Sequence, residues 1–575
     1  MSATKEQKPS HSQLNSLLEH YQSGRYEDAE KLAISITQQF PHHPFSWKVL
    51  AAVLKQTGRI SEALVASQKA VEIDPEDAEA HSNLGNTLKE LGRLEEAEAS
   101  HRQAIELKPD LAEAHSNLGN TLKALGRFKE AEASYRQAIA LKPSFAEAHN
   151  NLGVALKELG RLEEAEASYR ETIALKSDFF EAHSNLGNAL QELGRLEEAE
   201  ESHRQAIAVK PENAEVHRNL GVTLKELGRL DEAEASYREA IELNPDYVEA
   251  HINLGITLQE LGRLEESEAS FTQAIALKPD FAETWNNLGN TLQSLGRLED
   301  AEEKYRNAIA LEPDYANAFW NLSGVAKTIQ DAEHWVDKCL TADANNMRAK
   351  LTKAALRFYQ GDRADFDNLM QSKFKDHSFM RSFSWVFSLP NLPELCFNRW
   401  SFYDAIVKQS KRSRPFYEFG VWRGAAFKYL IKSFKKGYGF DTFTGLPEDW
   451  NVGSGIEKAG TYSSDGNVPN IKGGEFIVGK FEDTLPIFYS ERRPMASVIN
   501  FDADLYSSTI CALNFSKSVM DKDTVLIFDE FIINESWEQG EFKALNEFCS
   551  INNYTYEVVA ISFFTKQVAV KLIGI

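Results

Sequence analysis

A glycine recurs every 34 residues, at Gly85, Gly119, Gly153, Gly187, Gly221, Gly255 and Gly289, and each is followed seven residues later by another, as at Gly92 and Gly126. Apolar residues at helical spacing surround the first glycine, while Ala97, Ala104 and their copies mark a second helix. Pro75, Pro109, Pro143, Pro211, Pro245, Pro279 and Pro313 fall where the second helices must stop, because a residue without an amide donor does not continue a helix. The unit is therefore a helical hairpin whose apolar side needs its neighbours, and a stack of such units buries its core one repeat at a time. The rhythm fills about the first 345 residues of 575 and then gives way to a single α/β pattern. The two halves have separate folding logic and are read separately.

In this phase the small residue, Leu-Gly and Ala-Pro positions resemble the tetratricopeptide pattern. Gly24 and Ala29 place an early unit near 10–43, Trp47 opens the next, and a shortened unit precedes Ala332. A last helix pair over 346–370 is expected to cap the stack. Asn83, Asn117, Asn151, Asn185, Asn219, Asn253, Asn287 and Asn321 share the period, and with Asn120, Asn188, Asn286 and Asn290 they are expected to line a groove for an extended peptide or partner protein. The ladder resembles that of the O-linked N-acetylglucosamine transferases; the other reading is that each amide bridges adjacent helices. His81, His115, His149, His183, His217 and His251 stand whole repeats apart, too far to share a metal, and are expected to pack.

Composition removes several alternatives. A formal charge of -23 argues against a general electrostatic grip on nucleic acid or anionic membrane. Cys339, Cys396, Cys511 and Cys549 form no CxxC, which leaves reduced thiols in a cytoplasmic protein as the plain expectation. Neither a signal-like start nor a membrane-length apolar run is present.

Residues 371–409 are rich in aromatics, and Phe379, Phe383, Trp385 and Phe387 are too apolar for a free linker. They are expected to cover a surface between repeats and sheet. Beyond them, 415–420 reads as a strand entering a glycine turn, Glu418-x-Gly420-x-x-x-Gly424, with a helix over 425–434. Helix-start amides at such a turn can hold a carboxylate. A strand at 438–440 ends in Asp441, about twenty residues on, where an acid can take ribose hydroxyls. Strands follow at 476–478, 497–501 and 524–528, and two more, 556–561 and 567–572, can close an edge as a hairpin. Asp502, Asp504, Asp529 and Glu530 all fall at carboxyl ends of these strands. Such acids repel unless positive charge intervenes, and Mg²⁺ is the expected cation for an all-oxygen set. The segment 450–474 is long enough for a lid or acceptor loop, with Tyr462, Ser463, Ser464 and Asp465 as candidate contacts.

The strings YEFGVWRGAA, YGFDTFTGLPED, GKFEDTLP, INFDADLYSST and VLIFDEF, in this order, resemble the macrocin O-methyltransferase family, a metal-dependent branch of the class I methyltransferases. The resemblance implies S-adenosylmethionine in the glycine-turn crevice and a sugar or glycan hydroxyl as acceptor. It implies that Glu418, Gly420 and Gly424 line the amino-acid and ribose side, that Asp441 reaches the ribose, and that Glu482 and Asp483 contact the adenine. It further implies Mg²⁺ on Asp502, Asp529 and Glu530, with Asp504 as the base. The usual pair in that family is two aspartates, so Glu530 departs from its pattern.

The expected whole is a multidomain chain: an all-α tetratricopeptide superhelix over 10–370, an aromatic junction over 371–409, and an α/β, class I methyltransferase-like open sheet over 410–575. The expected activity is O-methyl transfer, with the repeats recruiting a protein substrate or partner, or mediating self-association. A metal-dependent glycosyltransferase and a binding scaffold with an inactive sheet domain are the competing readings.

Overall fold

The structure, a computed structural model, describes residues 8–451, 456–464, 466–503 and 505–575. Contacts divide it into two compact units, Met1–Tyr247 and Val248–Ile575. The first consists of antiparallel helix pairs such as Ala112–Ala124 with Phe128–Leu141. Its packing rests on a ring laid over a helical glycine: a Cβ at Gly119 would come within 2.6 Å of the Tyr135 ring, so only glycine leaves room. The second glycine of each unit has a different task. Gly126 (φ +73°) turns the chain between the two helices with open space around it.

Polar side chains stitch successive repeats together. Arg161 bonds Glu164 in its own unit and Glu132 in the preceding one, and Arg195 repeats the pattern with Glu198 and Glu166. The histidine ladder packs as expected: Nε2 of His81, His115, His149 and His217 donates to the carbonyl six residues back, at 2.8–3.0 Å. Some rungs of the asparagine ladder take the bridging reading. Asn117 donates to Ser82 and Asn185 to Asn150, so these rungs bridge neighbouring helices. Asn120, expected at the groove, receives the Tyr135 hydroxyl at 2.8 Å.

The second unit holds the later repeats, the shortened pair Ala316–Gly324 and Ile329–Ala342, a closing pair Met347–Tyr359 and Ala364–Met370, and the sheet. Asn321 bridges to Asn286 and Asn290 at 2.9 Å. The elements that follow are α1 (Ser378–Phe387), β1 (Glu394–Cys396), α2 (Arg399–Gln409), β2 (Phe416–Phe419), α3 (Ala425–Phe434), β3 (Gly437–Asp441), β4 (Gly474–Val478), α4 (Phe481–Phe488), β5 (Val498–Phe501), α5 (Tyr506–Ser516), β6 (Val525–Phe528), α6 (Glu541–Asn552), β7 (Thr555–Ser562) and β8 (Val568–Ile573). The strand order is β1-β7-β8-β6-β5-β2-β3-β4. Strands β4, β3, β2, β5 and β6 run parallel, and β8 enters antiparallel between β6 and β7. Phe416, Val498, Val525 and Ile527 face α2 and α3, while Tyr417, Phe419, Ile499 and Phe528 face α4, α5 and α6.

The aromatic segment packs between the closing helix pair and the sheet layer and is buried in their shared core. Met380, Phe383 and Val386 are buried with the sheet, Phe387 stacks on Phe358 at 3.6 Å, and Trp385 meets Phe531, Trp537 and Phe542. The sheet layer also begins before residue 410, since β1 pairs with β7 and α2 covers one face. Two repeat turns seat against this layer: the Trp422 ring lies over Gly262, and the Trp400 ring over Gly296. Among the described residues the four cysteines are free thiols, and no helix is long and apolar enough to cross a membrane.

His101 and His203 replace the tyrosine of the sister repeats and lie fully buried, with neither ring nitrogen hydrogen-bonded. Burial pushes both down to about 4. The fold thus holds them neutral, whereas the unfolded chain takes up protons near the ordinary 6.5, so stability present above pH 6.5 is lost as pH falls toward 4. Between pH 7 and 5 the loss should be about 2 kcal/mol per histidine. Hydrogen exchange of the two helices should report it, and His101→Tyr with His203→Tyr should flatten the profile; an unchanged slope would remove the histidines as its source.

Candidate functional site

Strand order reverses direction around β2, whose neighbours are β3 and β5, and the glycine turn leaves β2 at that switch point. Gly420 (φ +85°) lies so close to the end of β5 that a Cβ would overlap the Asp502 carbonyl oxygen. Gly424 (φ +74°) is the N-cap of α3 and offers that helix no side-chain cap. Between them Trp422 adopts φ +46°, a strained conformation for a bulky residue. What holds it there is Asp441. One carboxylate oxygen accepts the Val421 and Trp422 amides at 2.7 Å each, and the other accepts Phe443 at 2.7 Å. Asp441 thus braces the turn ahead of the helix start, whose own first amides, from Ala425 on, are separate from these.

On the α2 face of the same edge lies a buried polar cluster. Glu418 is 1 % exposed, its Oε2 lacks a hydrogen-bond partner, and burial raises it well above the usual carboxylate range against the pull of Arg399. Its cross-strand neighbour Asn500 is fully buried beside the carboxyl and favours its charged form, and the hydroxyl of Tyr403 from α2 is buried without a hydrogen-bond partner. Asp529, 6 % exposed, gives one oxygen to the Arg399 guanidinium at 2.6 Å and the other to the Gln567 amide at 2.6 Å. Its charge, with smaller contributions from Asp502 and Glu530, raises Arg399 further. Glu530 turns to Lys566, at 2.9 and 3.1 Å, and burial raises it while that ammonium opposes the shift.

The expected cation ligands are therefore placed but not opened to a common ion. Asp529 and Glu530 have their oxygens paired with Arg399, Gln567 and Lys566, and among the described residues no three His, Cys, Asp or Glu side chains form a metal-holding group. In this arrangement the carboxylates do not fit Mg²⁺ without expelling a guanidinium. Asp504 and Asp465 lie outside the described residues. Glu482 and Asp483 are exposed in the first turn of α4, after the edge strand β4. In the long segment, Ser464 is buried and its hydroxyl donates to the Asn467 carbonyl, while Tyr462 rests edge-on to Trp422.

Arg399, Tyr403, Asn500, Gln567 and Lys566 were not singled out from sequence. Asn500 had the clearest signal, a polar residue two positions before Asp502 in an otherwise apolar strand.

These features define an all-α run of tetratricopeptide hairpins followed by a mixed α/β sheet domain. The repeat region matches families described as TPR repeat (residues 52–92, 85–126, 119–160 and 155–194) and tetratricopeptide repeat (178–246, 214–280 and 282–315). Among solved structures, YrrB, a TPR protein with an unusual peptide-binding site, is 28% identical over 32% of this chain and 95% of its own, with a TM-score of 0.29. Pseudomonas aeruginosa pilF is 22% identical over 36% and 93%, TM-score 0.33, and the Cut9-Hcn1 structure of the APC/C is 13% identical over 59% and 95%, TM-score 0.33. No curated protein matches the chain.

If Asp441 braces the turn, Asp441→Ala should speed hydrogen exchange at the Val421 and Trp422 amides at least about tenfold, the loss of a charge-assisted bond. Unchanged protection would place their acceptor elsewhere.

Proposed function

We propose that the sheet domain transfers a methyl group from S-adenosylmethionine to a hydroxyl, with a sugar or glycan as the acceptor class, and that the repeats recruit a protein partner or substrate. The observation that carries this reading is Glu418: a fully buried carboxyl with an unpartnered oxygen, at the foot of a glycine turn at the sheet's switch point. Burial holds it toward its neutral form against the pull of Arg399, and an ammonium bonded to it would favour the charged form. The amino-acid end of the cofactor carries that ammonium, so the residues present fit it. Asn500 offers donor and acceptor beside it.

S-adenosylmethionine supplies an electrophilic methyl on a sulfonium. The chain's share is positioning. Gly420 lets the turn pack directly on the backbone at Asp502, Asp441 fixes the turn between Gly420 and Gly424, and exposed Glu482 and Asp483 are available to the adenine. By the resemblance, Asp504 takes the acceptor hydroxyl's proton as attack begins. No step here is routed through Mg²⁺; Arg399 and Lys566 pair with Asp529 and Glu530. That pairing favours a second reading, a repeat scaffold with an inactive sheet domain.

Calorimetry with S-adenosylmethionine, and mass spectrometry of host glycans and proteins incubated with the labelled cofactor, test both. Glu418→Gln should weaken cofactor binding by about tenfold or more, as expected for loss of a buried charge-assisted bond. Asp504→Asn should leave binding nearly intact and lower transfer by about 100-fold or more, the usual scale for a general base. Binding without transfer to any acceptor would favour the scaffold, and binding of a nucleotide sugar instead would redirect the reading to glycosyl transfer.

A further inference from the structure

Three consecutive residues at the start of α2 point to three different places. Asn398 caps the helix by accepting the Ser401 amide at 2.8 Å, and its Nδ2 donates to the Gly324 carbonyl of the shortened repeat at 3.3 Å. Trp400 donates its indole N–H to the Gln293 carbonyl at 2.6 Å, and its ring covers Gly296 in the turn that follows. Arg399, between them, reaches the opposite way to Asp529. A guanidinium is always charged and is rigid and planar, so its position is decided by where its helix is held.

The acids at this edge need a positive charge, and Arg399 supplies it from within the chain. Asp529, Asp502 and Glu530 all act on the guanidinium, and about a third of its side chain (36 %) is open to solvent. It is the more solvent-exposed partner of its pair, Asp529 being 9 % exposed at the side chain. Lys566 neutralises Glu530 on the far side.

We propose that Arg399 is a positioning residue that supplies the fixed positive charge of the acid cluster in place of a divalent cation, and that the repeat helix ends at Gln293 and Gly324 hold it there through Trp400 and Asn398. Asp529 then has its counter-charge without metal, and the later repeats are part of the site's framework rather than a tether. This holds whether or not the domain transfers methyl groups, because the readout is cation binding.

The test is titration of the full-length protein with Mn²⁺, followed by electron paramagnetic resonance. Wild type and Arg399→Lys should show no site tighter than about 1 mM, the weak end for carboxylate sites. Arg399→Gln should bind one Mn²⁺ at least tenfold more tightly, and adding Asp529→Asn should abolish the gain. Trp400→Phe, which keeps the ring and removes the indole donor, should gain affinity by a smaller factor, about threefold. One Mn²⁺ bound by wild type as tightly as by Arg399→Gln, and lost in Asp529→Asn, would overturn the proposal. Wild-type behaviour of Trp400→Phe would overturn the role given to the repeats. Should circular dichroism show Arg399→Gln unfolded, the Trp400→Phe and Asp529→Asn titrations against wild type still decide.

Discussion

Everything in the repeat region depends on an aromatic ring resting directly on helical backbone. Tyr135 on Gly119, Tyr169 on Gly153, Phe271 on Gly255 and Tyr305 on Gly289 are the same contact at successive periods. It sets how closely the two helices of a hairpin approach, and that distance brings the arginine of one unit to the glutamate of the unit before. Where histidine takes the ring position, at 101 and 203, the shape is kept and a titratable group enters the core. The contact is steric, so it tolerates exchange of Tyr, Phe and His above the glycine but not a side chain below.

Because this constraint is local and periodic, it was legible in the sequence. The hairpins, the shortened unit before Ala332, the closing pair and the helix over 425–434 all follow from spacing and from glycine and proline placement. The five parallel strands from β2 to β6 were legible within a residue or two, since each is an apolar run ending in an acid or glycine. Strand β1 and helix α2 were hidden by the aromatic content of their segment, which reads as an interface whether the partner is another domain or the sheet itself. Side-chain pairing was harder still. That Asp441 would turn to the amides of Val421 and Trp422, or that Asn117 would bridge to Ser82, depends on which partner stands within 3 Å, and one-dimensional spacing carries no such information.

The acids illustrate the same limit from electrostatics. Their placement at carboxyl ends of adjacent strands made a compensating cation necessary, and that inference stands. The compensation comes from Arg399 and Lys566, one on α2 and one in the turn between β7 and β8, distant in sequence from Asp529 and Glu530. A cluster of carboxylates specifies that positive charge is required without specifying its source. What distinguishes Glu418 from Asp529 and Glu530 is that its Oε2 has no hydrogen-bond partner, although Arg399 acts on it electrostatically.

The seats of Trp422 on Gly262 and of Trp400 on Gly296 are separated by one period of the repeat. Duplication or deletion of a unit is the ordinary way a repeat array changes length, and upstream it alters only the number of hairpins. Between these seats the same event would pull one tryptophan away from its turn while leaving the other in place. The array is therefore free to lengthen at its beginning and fixed in count at its end, as a ruler is when its last two marks are screwed to the bench.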